Sequence, residues 1–450
     1  MSVYNTFSEK IILPTSDFLL GNSIAKNFKF LEESQWWSRE EIDNWQNINL
    51  QKLIKHAYTN VPYYHNLFKK LKLMPDDILT KDDLYKLPIL TKKDIRVNFP
   101  EFIVAKNIPK SQLIFQSSSG STGEPLQFYI TKAAESFHKA CAIRAWYWMG
   151  YRLGDKYVKI SQNPRDSLIK RIQDRSNNCR YVFFQQHTHN NLKKIVEVIL
   201  AFKPKILRGY PDPLFFLAQY LKKNNIFINS IFAINSTGNV LFENNRNLIE
   251  EQFNCKIYDS YSCEGGANVA QCENLASYHS AEEYAISEFI RNENDDNAVA
   301  GERLIVTDLF NYAVPFIRYD SQDYIIRKNK ICSCGRSLHN FEKINGRDSD
   351  ILITPSGKYL IVHNFTGYFE WIESIEQFQV WQNQIDDIVI KIKVNKKFTD
   401  KEFKKVLNYW KNYIGNDVNV NLQIVDEIPL TASGKRRFLI RNDNLQLFDF

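Results

Sequence analysis

Several features common in other protein classes are missing from this chain. None of its 450 residues falls in an apolar run of the roughly 18–20 residues that a membrane helix requires. The N-terminal stretch MSVYNTFSEKIILPTSDFLLG has no basic segment leading into an apolar run that ends in small residues, so no signal peptide is read there. Seven cysteines make an odd number. Without a secretion signal, that count argues for free thiols or metal ligands in a reducing, cytoplasmic setting over a disulfide framework. Dense basic blocks are absent as well: 58 Lys and Arg against 51 Asp and Glu give a net charge of +7, spread along the chain. A nucleic-acid binder would concentrate that charge. No internal repeat or low-complexity segment is found.

What is present is the composition of a folded protein, 44% apolar and 24% charged. At this length at least two domains are expected, because single cores seldom grow past about 250–300 residues. The first 75 residues read as helical, with Leu50, Leu53 and Ile54 at helical spacing and a break at Pro62. QLIF and LQFYI read as strands flanking a Ser/Gly loop. Thr131 caps a long helix that runs to Met149 and stops at Gly150. Strand and helix signals then alternate: YVKI, a helix near Leu192–Phe202, ILRGY, a helix near Leu214–Lys223, IFAINS, a helix near Asn244–Phe253, KIYDSY. This predicts an α/β domain with mostly parallel sheets packed by helices.

The tail differs. Ile388, Ile390, Ile392 and Val394 alternate as a strand, and TDKE at Thr399–Glu402 is a capping box. Phe403, Val406, Leu407, Trp410 and Ile414 share one helical face that Gly415 ends, before Val418, Val420, Leu422 and Ile424 alternate again. The reading is a large N-terminal domain over residues 1–348 and a small α+β C-terminal domain over residues 349–450, divided in the polar run NGRDSD.

The loop SSSGSTGEP (Ser117–Pro125) combines small hydroxylated residues with two glycines. Such a loop can turn backbone N–H groups and hydroxyls toward phosphate oxygens. A Walker A loop is excluded, because Glu124-Pro125 stands where Gly-Lys-Ser/Thr would end it and the chain enters a strand instead of a helix. Taken alone, the composition fits a surface hairpin equally well. A second constellation is Cys332 and Cys334 in ICSCGR with Cys272 and His279 in QCENLASYH. Three cysteines and a histidine suit tetrahedral Zn²⁺; reduced thiols without a metal are the alternative.

Four ordered segments carry a resemblance: SSSGSTGEP, TDLFNYAVPFIRYDSQD (Thr307–Asp323), NGRDSD (Asn345–Asp350) and LTASGKRRF (Leu430–Phe438). Together they resemble the adenylate-forming (AMP-binding) superfamily. Within it the chain is most similar to the phenylacetate-CoA ligase branch and its capsular-polysaccharide-associated members, as KHAYTNVPYYHNLF also suggests. The resemblance spans nearly the whole chain. It implies an ATP-dependent carboxylate ligase that forms an acyl-AMP with release of pyrophosphate. The acyl group then passes to CoA, a carrier-protein thiol, an amine or a sugar hydroxyl. A homologue that binds nucleotide without ligase chemistry is the alternative.

The resemblance also implies site roles. Ser117, Ser118, Ser119, Gly120, Ser121, Thr122 and Gly123 match the loop that holds the β- and γ-phosphates of ATP, with Ser121 and Thr122 as hydroxyl donors. In DSYSCEGG, Tyr261 matches the residue against adenine and Glu264 the Mg²⁺ ligand; Tyr and Glu stand one residue closer than in the family, and Cys263 replaces a hydroxyl residue. Asp323 matches the ribose-binding aspartate, Arg347 the hinge-adjacent arginine, and Ser349 the hinge itself. Lys435 matches the catalytic lysine that bridges the substrate carboxylate and the α-phosphate. Relatives carry Cys…His and Cys-x-Cys elements at these two places, some with zinc, which implies a structural site at Cys272, His279, Cys332 and Cys334. The acid pocket is expected from the middle of the α/β domain, with His187, His189, Tyr210 and Asn235–Asn239 as candidates that serve equally well as ordinary core or loop residues.

Overall fold

The computed structural model describes residues 2–117, 126–161, 165, 167–184, 189–241, 243–291, 301–328, 330–347, 351–356, 359–369, 372, 374–429 and 437–442. N-terminal helices, among them Ile24–Ser34 and Arg39–Asn60, precede a two-stranded antiparallel sheet, β1 (Leu113–Ser117) with β2 (Gln127–Thr131). Ser117 stands opposite Gln127, so the Ser/Gly loop joins two paired strands. The Thr131 hydroxyl accepts the N–H of Ala134 and starts the helix Lys132–Trp148, as its cap position predicts. Gly150 follows that helix with φ +88°, a conformation glycine adopts at no steric cost.

The centre of the molecule is one eleven-stranded sheet. In chain order its strands are β3 (Tyr157–Ser161), β4 (Cys179–Phe183), β5 (Ile206–Gly209), β6 (Ala233–Thr237), β7 (Lys256–Ser262), β8 (Asn268–Gln271), β9 (Tyr278–Ser280), β10 (Ala285–Ile290), β11 (Glu302–Asp308), β12 (Tyr319–Arg327) and β13 (Asn340–Arg347). Their spatial order is β10-β11-β12-β13-β9-β8-β7-β6-β5-β3-β4. The α/β class holds. Within this sheet parallel pairing is confined to β3 through β7, where a helix lies between each strand and the next in the chain and returns it. Beyond β7 the sheet is antiparallel, which corrects the expectation of mostly parallel strands for this half: β8 to β13 are joined by turns and loops too short to hold a crossover helix, or by segments without one among the described residues. Helix Leu168–Ser176 and strand β4 were not foreseen, since NPRDSLIKRIQDRSNN carries little apolar material and β4 mixes Cys179, Arg180 and Tyr181.

Apolar side chains of β3, β5, β6 and β7 pack with the helices His189–Phe202, Pro211–Lys223 and Glu243–Phe253 into one core. A second core belongs to the tail. There β14 (Ile351–Ile353) pairs with β15 (Tyr359–Ile361), and a four-stranded sheet has the order β18-β17-β16-β19, with β16 Ile375–Gln384, β17 Asp387–Val394, β18 Asn419–Ile424 and β19 Leu439–Arg441. Thr399 and Glu402 form the capping box of helix Asp400–Ile414. Val406, Trp410 and Ile414 on that helix are buried against the sheet. Strand β13 of the large sheet ends at Arg347, and β14 begins at Ile351.

Candidate active site and metal centre

In a parallel sheet, ligands gather outside the carboxyl ends of the strands. At that edge a cavity of about 90 Å³ lies between helix Lys132–Trp148 and the sheet. The helix contributes His138, Cys141 and Trp146; the strands contribute Arg208, Thr237 and Tyr261, with neighbours on β7 and β8. Burial pushes the Cys141 thiol up to about 12 and holds the His138 imidazole below its ordinary value, so both are neutral at pH 7.

Tyr261 donates its phenol proton to Asp323 Oδ2 at 2.5 Å. Asp323 is buried on β12, directly opposite Arg347 in the antiparallel pair with β13. The two positions 24 residues apart are thus brought side by side at the backbone. Just before Asp323, Gln322 takes φ +64°, an uncommon conformation for a residue with a Cβ. Glu264 is half-buried in the turn after β7, and no described residue donates to its carboxylate. Two glycines set that turn. A Cβ on Gly265 would meet the Tyr319 ring at 2.6 Å, and one on Gly266, at φ +94°, would meet Asp308 at 2.9 Å. The turn therefore presses against β11 and β12, close to the strand that carries Asp323. Asp308 accepts the N–H groups of Phe310 and Asn311 and the Tyr284 hydroxyl, and burial raises its carboxyl to about 6.

Other expected residues are distributed unevenly. Ser118, Ser119, Gly120, Ser121, Thr122, Gly123, His187, Ser349 and Lys435 lie outside the described residues. Of the acid-pocket candidates, Thr237 lines the cavity. Asn235 is buried and donates to Ser260 Oγ at 3.1 Å. Tyr210 packs beneath Gly238, whose Cβ would fall 2.5 Å from its ring, and His189 is exposed at the start of its helix. Arg208 was not foreseen. Its signal was available in ILRGY, where one cation interrupts an apolar strand.

The cysteine–histidine constellation comes together from three chain segments. The four ligand atoms of Cys272, His279, Cys332 and Cys334 lie within 4.8 Å of one another. Cys272 Sγ and Cys332 Sγ are 3.7 Å apart, and Cys334 Sγ is 3.2 Å from His279 Nε2. At metal–sulfur bonds near 2.3 Å, a tetrahedral site has S···S edges of about 3.8 Å, so the spacing fits a shared cation and is far too long for a disulfide. His279 Nδ1 faces the Leu338 carbonyl at 3.3 Å, which directs Nε2 toward the sulfurs. Burial lowers the His279 imidazole to about 4, leaving it in the neutral form a metal requires.

Arg336 fixes this knuckle. Its guanidinium lies between the rings of Trp36 and Trp148, at 4.6 and 4.5 Å from their centres, and reaches Glu273 and Gln35. Behind it, Arg144 and Glu283 form a fully buried ion pair that Ser34 also joins.

Residues 352–442 match the family model described as CapK C-terminal domain. Over 424 residues the chain is 26% identical to Protein CapK of Staphylococcus aureus, covering 88% of each chain. It is 24% identical to a phenylacetate-coenzyme A ligase of Pseudomonas putida, covering 89% of this chain and 86% of the relative. Over most of its length the chain is therefore related to CapK and to phenylacetate-CoA ligases. The same architecture occurs in a 2-hydroxyisobutyryl-CoA ligase solved in its postadenylation state, with a TM-score of 0.71 at 17% identity over 92% of both chains. At that identity the match speaks for the fold, and it is the fold of an adenylate-forming ligase.

Proposed function

We propose that the protein is an ATP-dependent ligase that activates a carboxylic acid as an acyl-AMP, releases pyrophosphate, and passes the acyl group to CoA. The observation that carries this reading is the grouping of Tyr261, Glu264 and Asp323 beside a cavity at the carboxyl edge of the sheet, in a chain related to phenylacetate-CoA ligases over most of its length. Asp323 would accept both ribose hydroxyls of the nucleotide, since a carboxylate offers two acceptor atoms to a vicinal diol. Tyr261 would hold that carboxylate in place and lie near the adenine.

Ser117 to Gly123 would hold the β- and γ-phosphates, with Thr122 as a hydroxyl donor, and Arg347 would reach the nucleotide from β13. Glu264 would bind Mg²⁺, which supplies charge neutralisation to the phosphates. Lys435 would bridge the substrate carboxylate and the α-phosphate as negative charge grows there. A catalytic lysine on a C-terminal domain (349–450) that moves against the N-terminal domain (1–348) suits two steps, being needed in the first and withdrawn in the second. Cys272, His279, Cys332 and Cys334 would hold a structural zinc; four protein ligands leave no open position for catalysis.

Acceptors other than CoA belong to the same proposal: a carrier-protein thiol, an amine or a sugar hydroxyl, the last in keeping with the relation to CapK and a role in polysaccharide biosynthesis. Reduced thiols fit a cytoplasmic setting. One observation favours a second reading, a nucleotide-binding homologue without ligase chemistry. Cys263 takes the place of a hydroxyl residue, and burial pushes its thiol up to about 12, leaving only a weak donor there.

Pyrophosphate release from ATP·Mg²⁺, screened over aromatic, fatty, amino, hydroxy and uronic acids and then with CoA or amines added, tests the proposal. Acid-dependent release is expected. Tight ATP binding with no release across the panel would replace the ligase with the binding homologue.

A further inference from the structure

Buried arginines in this protein come with carboxylates. Arg144 pairs with Glu283, Arg303 with Asp320, Arg318 with Glu288 and Arg336 with Glu273. Arg208, half-buried, differs from all four. Its guanidinium lines the cavity and lies 5.0 Å over the Trp146 ring, and among the described residues no carboxylate meets it. The polar groups around it are the phenols of Tyr157 and Tyr210 and the Cys179 thiol.

A second cation stands beside it. Lys159 on β3 is the direct register partner of Arg208 on β5, on the same face of the sheet. Burial, then Arg208 and Arg165, push the Lys159 ammonium down to about 8. Arg165 has its own acid, Asp174. Two neighbouring half-buried cations, with no matching acid among the described residues, are costly to withdraw from water unless something negative arrives from outside.

The position of Arg208 says which part of a ligand it would meet. Arg208, Asn235 and Tyr258 are aligned across β5, β6 and β7. Two strand spacings separate Arg208 from β7, or about 10 Å. The reacting carboxylate belongs near Tyr261 and Glu264, at the end of β7. Arg208 therefore faces the opposite end of the acid. The cavity, at about 90 Å³, suits a compact molecule and not a long acyl chain.

We infer that the acid is a short dicarboxylic acid, whose second carboxylate is held by Arg208 while the first is activated. This rests on the ligase reading above and makes Arg208 a specificity-determining residue. A planar guanidinium takes a carboxylate in two parallel hydrogen bonds, which an ammonium cannot reproduce.

The test compares matched pairs in the pyrophosphate-release assay: malonate, succinate and glutarate against their half-amides, with phenylacetate and 2-hydroxyisobutyrate as acids lacking a second charge. Wild type is expected to favour at least one diacid over its half-amide by about 10–100-fold in kcat/KM. Arg208→Gln should reduce that preference to within a fewfold, and Arg208→Lys should keep part of it; thermal melts establish that both variants are folded. A wild-type preference for half-amides or for the singly charged acids overturns the inference and leaves the ligase reading standing. So does an Arg208→Gln enzyme with an unchanged ratio. Pyrophosphate release from none of these acids, nor from the wider panel, removes the ligase reading and this inference together.

Discussion

The phenol of Tyr261 and the carboxylate of Asp323 are joined by a 2.5 Å hydrogen bond between β7 and β12, strands that lie on opposite sides of β8, β9 and β13 in the sheet order. The bond closes the site across the antiparallel half of the sheet. Tyr261→Phe removes a donor from a buried carboxylate, and such a loss costs roughly 1–3 kcal/mol. The expected result is a lower melting temperature and a raised KM for ATP, with KM for the acid changed less. Differential scanning fluorimetry with steady-state kinetics checks both; an unaltered KM for ATP would separate Tyr261 from the nucleotide site.

The proposed function gives Lys435 the chemical step of adenylation. Lys435→Ala should lose acid-dependent ATP–pyrophosphate exchange by at least about 100-fold, the scale for removing one group that stabilises developing charge. ATP binding, followed by calorimetry, should persist. Full exchange in the variant would end the assignment.

The metal proposal predicts about one zinc per chain by elemental analysis of protein purified under reducing conditions. Cys332→Ser should lower zinc occupancy and reduce the melting temperature, because binding energy at a structural site is folding energy. Metal-free wild-type protein with an unchanged melting curve after chelator treatment would favour the simple thiol reading.

Asp308 gives a pH dependence. Its folded carboxyl is raised from 3.8 to about 6 by burial, so the native state holds a proton that the unfolded chain has released between those values. The unfolding free energy contributed by this group is therefore greatest below pH 4 and declines as pH rises through 6. Asp308→Asn should flatten that decline. Urea denaturation at pH 4.5 and 6.5 reads the effect as a smaller difference between the two pH values than in wild type; Asp259, also raised to about 6, leaves a residual slope.

The parts of this arrangement visible in the sequence were the local ones. Thr131 and Thr399 announced their helices because a cap is decided within four residues. Val406, Trp410 and Ile414 repeat at helical spacing and are buried. The pairing of Arg144 with Glu283 and the stacking of Arg336 on Trp36 and Trp148 could not be read, since 139 residues separate the first pair and nothing in local pattern links such distant positions. Arg208 was overlooked for a different reason. Within ILRGY it reads as one polar residue of a strand, and only the sheet register shows Lys159 beside it, with no acid opposite among the described residues.

The grip on Arg336 has a further consequence. One guanidinium ties Gln35 and Trp36 of the N-terminal region, Trp148 at the end of the cavity helix and Glu273 of the cysteine loop into a single junction. Trp148 and His279 both line the cavity as well. Disorder in the knuckle would then reach the cavity directly through a shared wall, so under the proposed function the cluster would set the shape of the chamber that takes the acid in addition to stapling the chain.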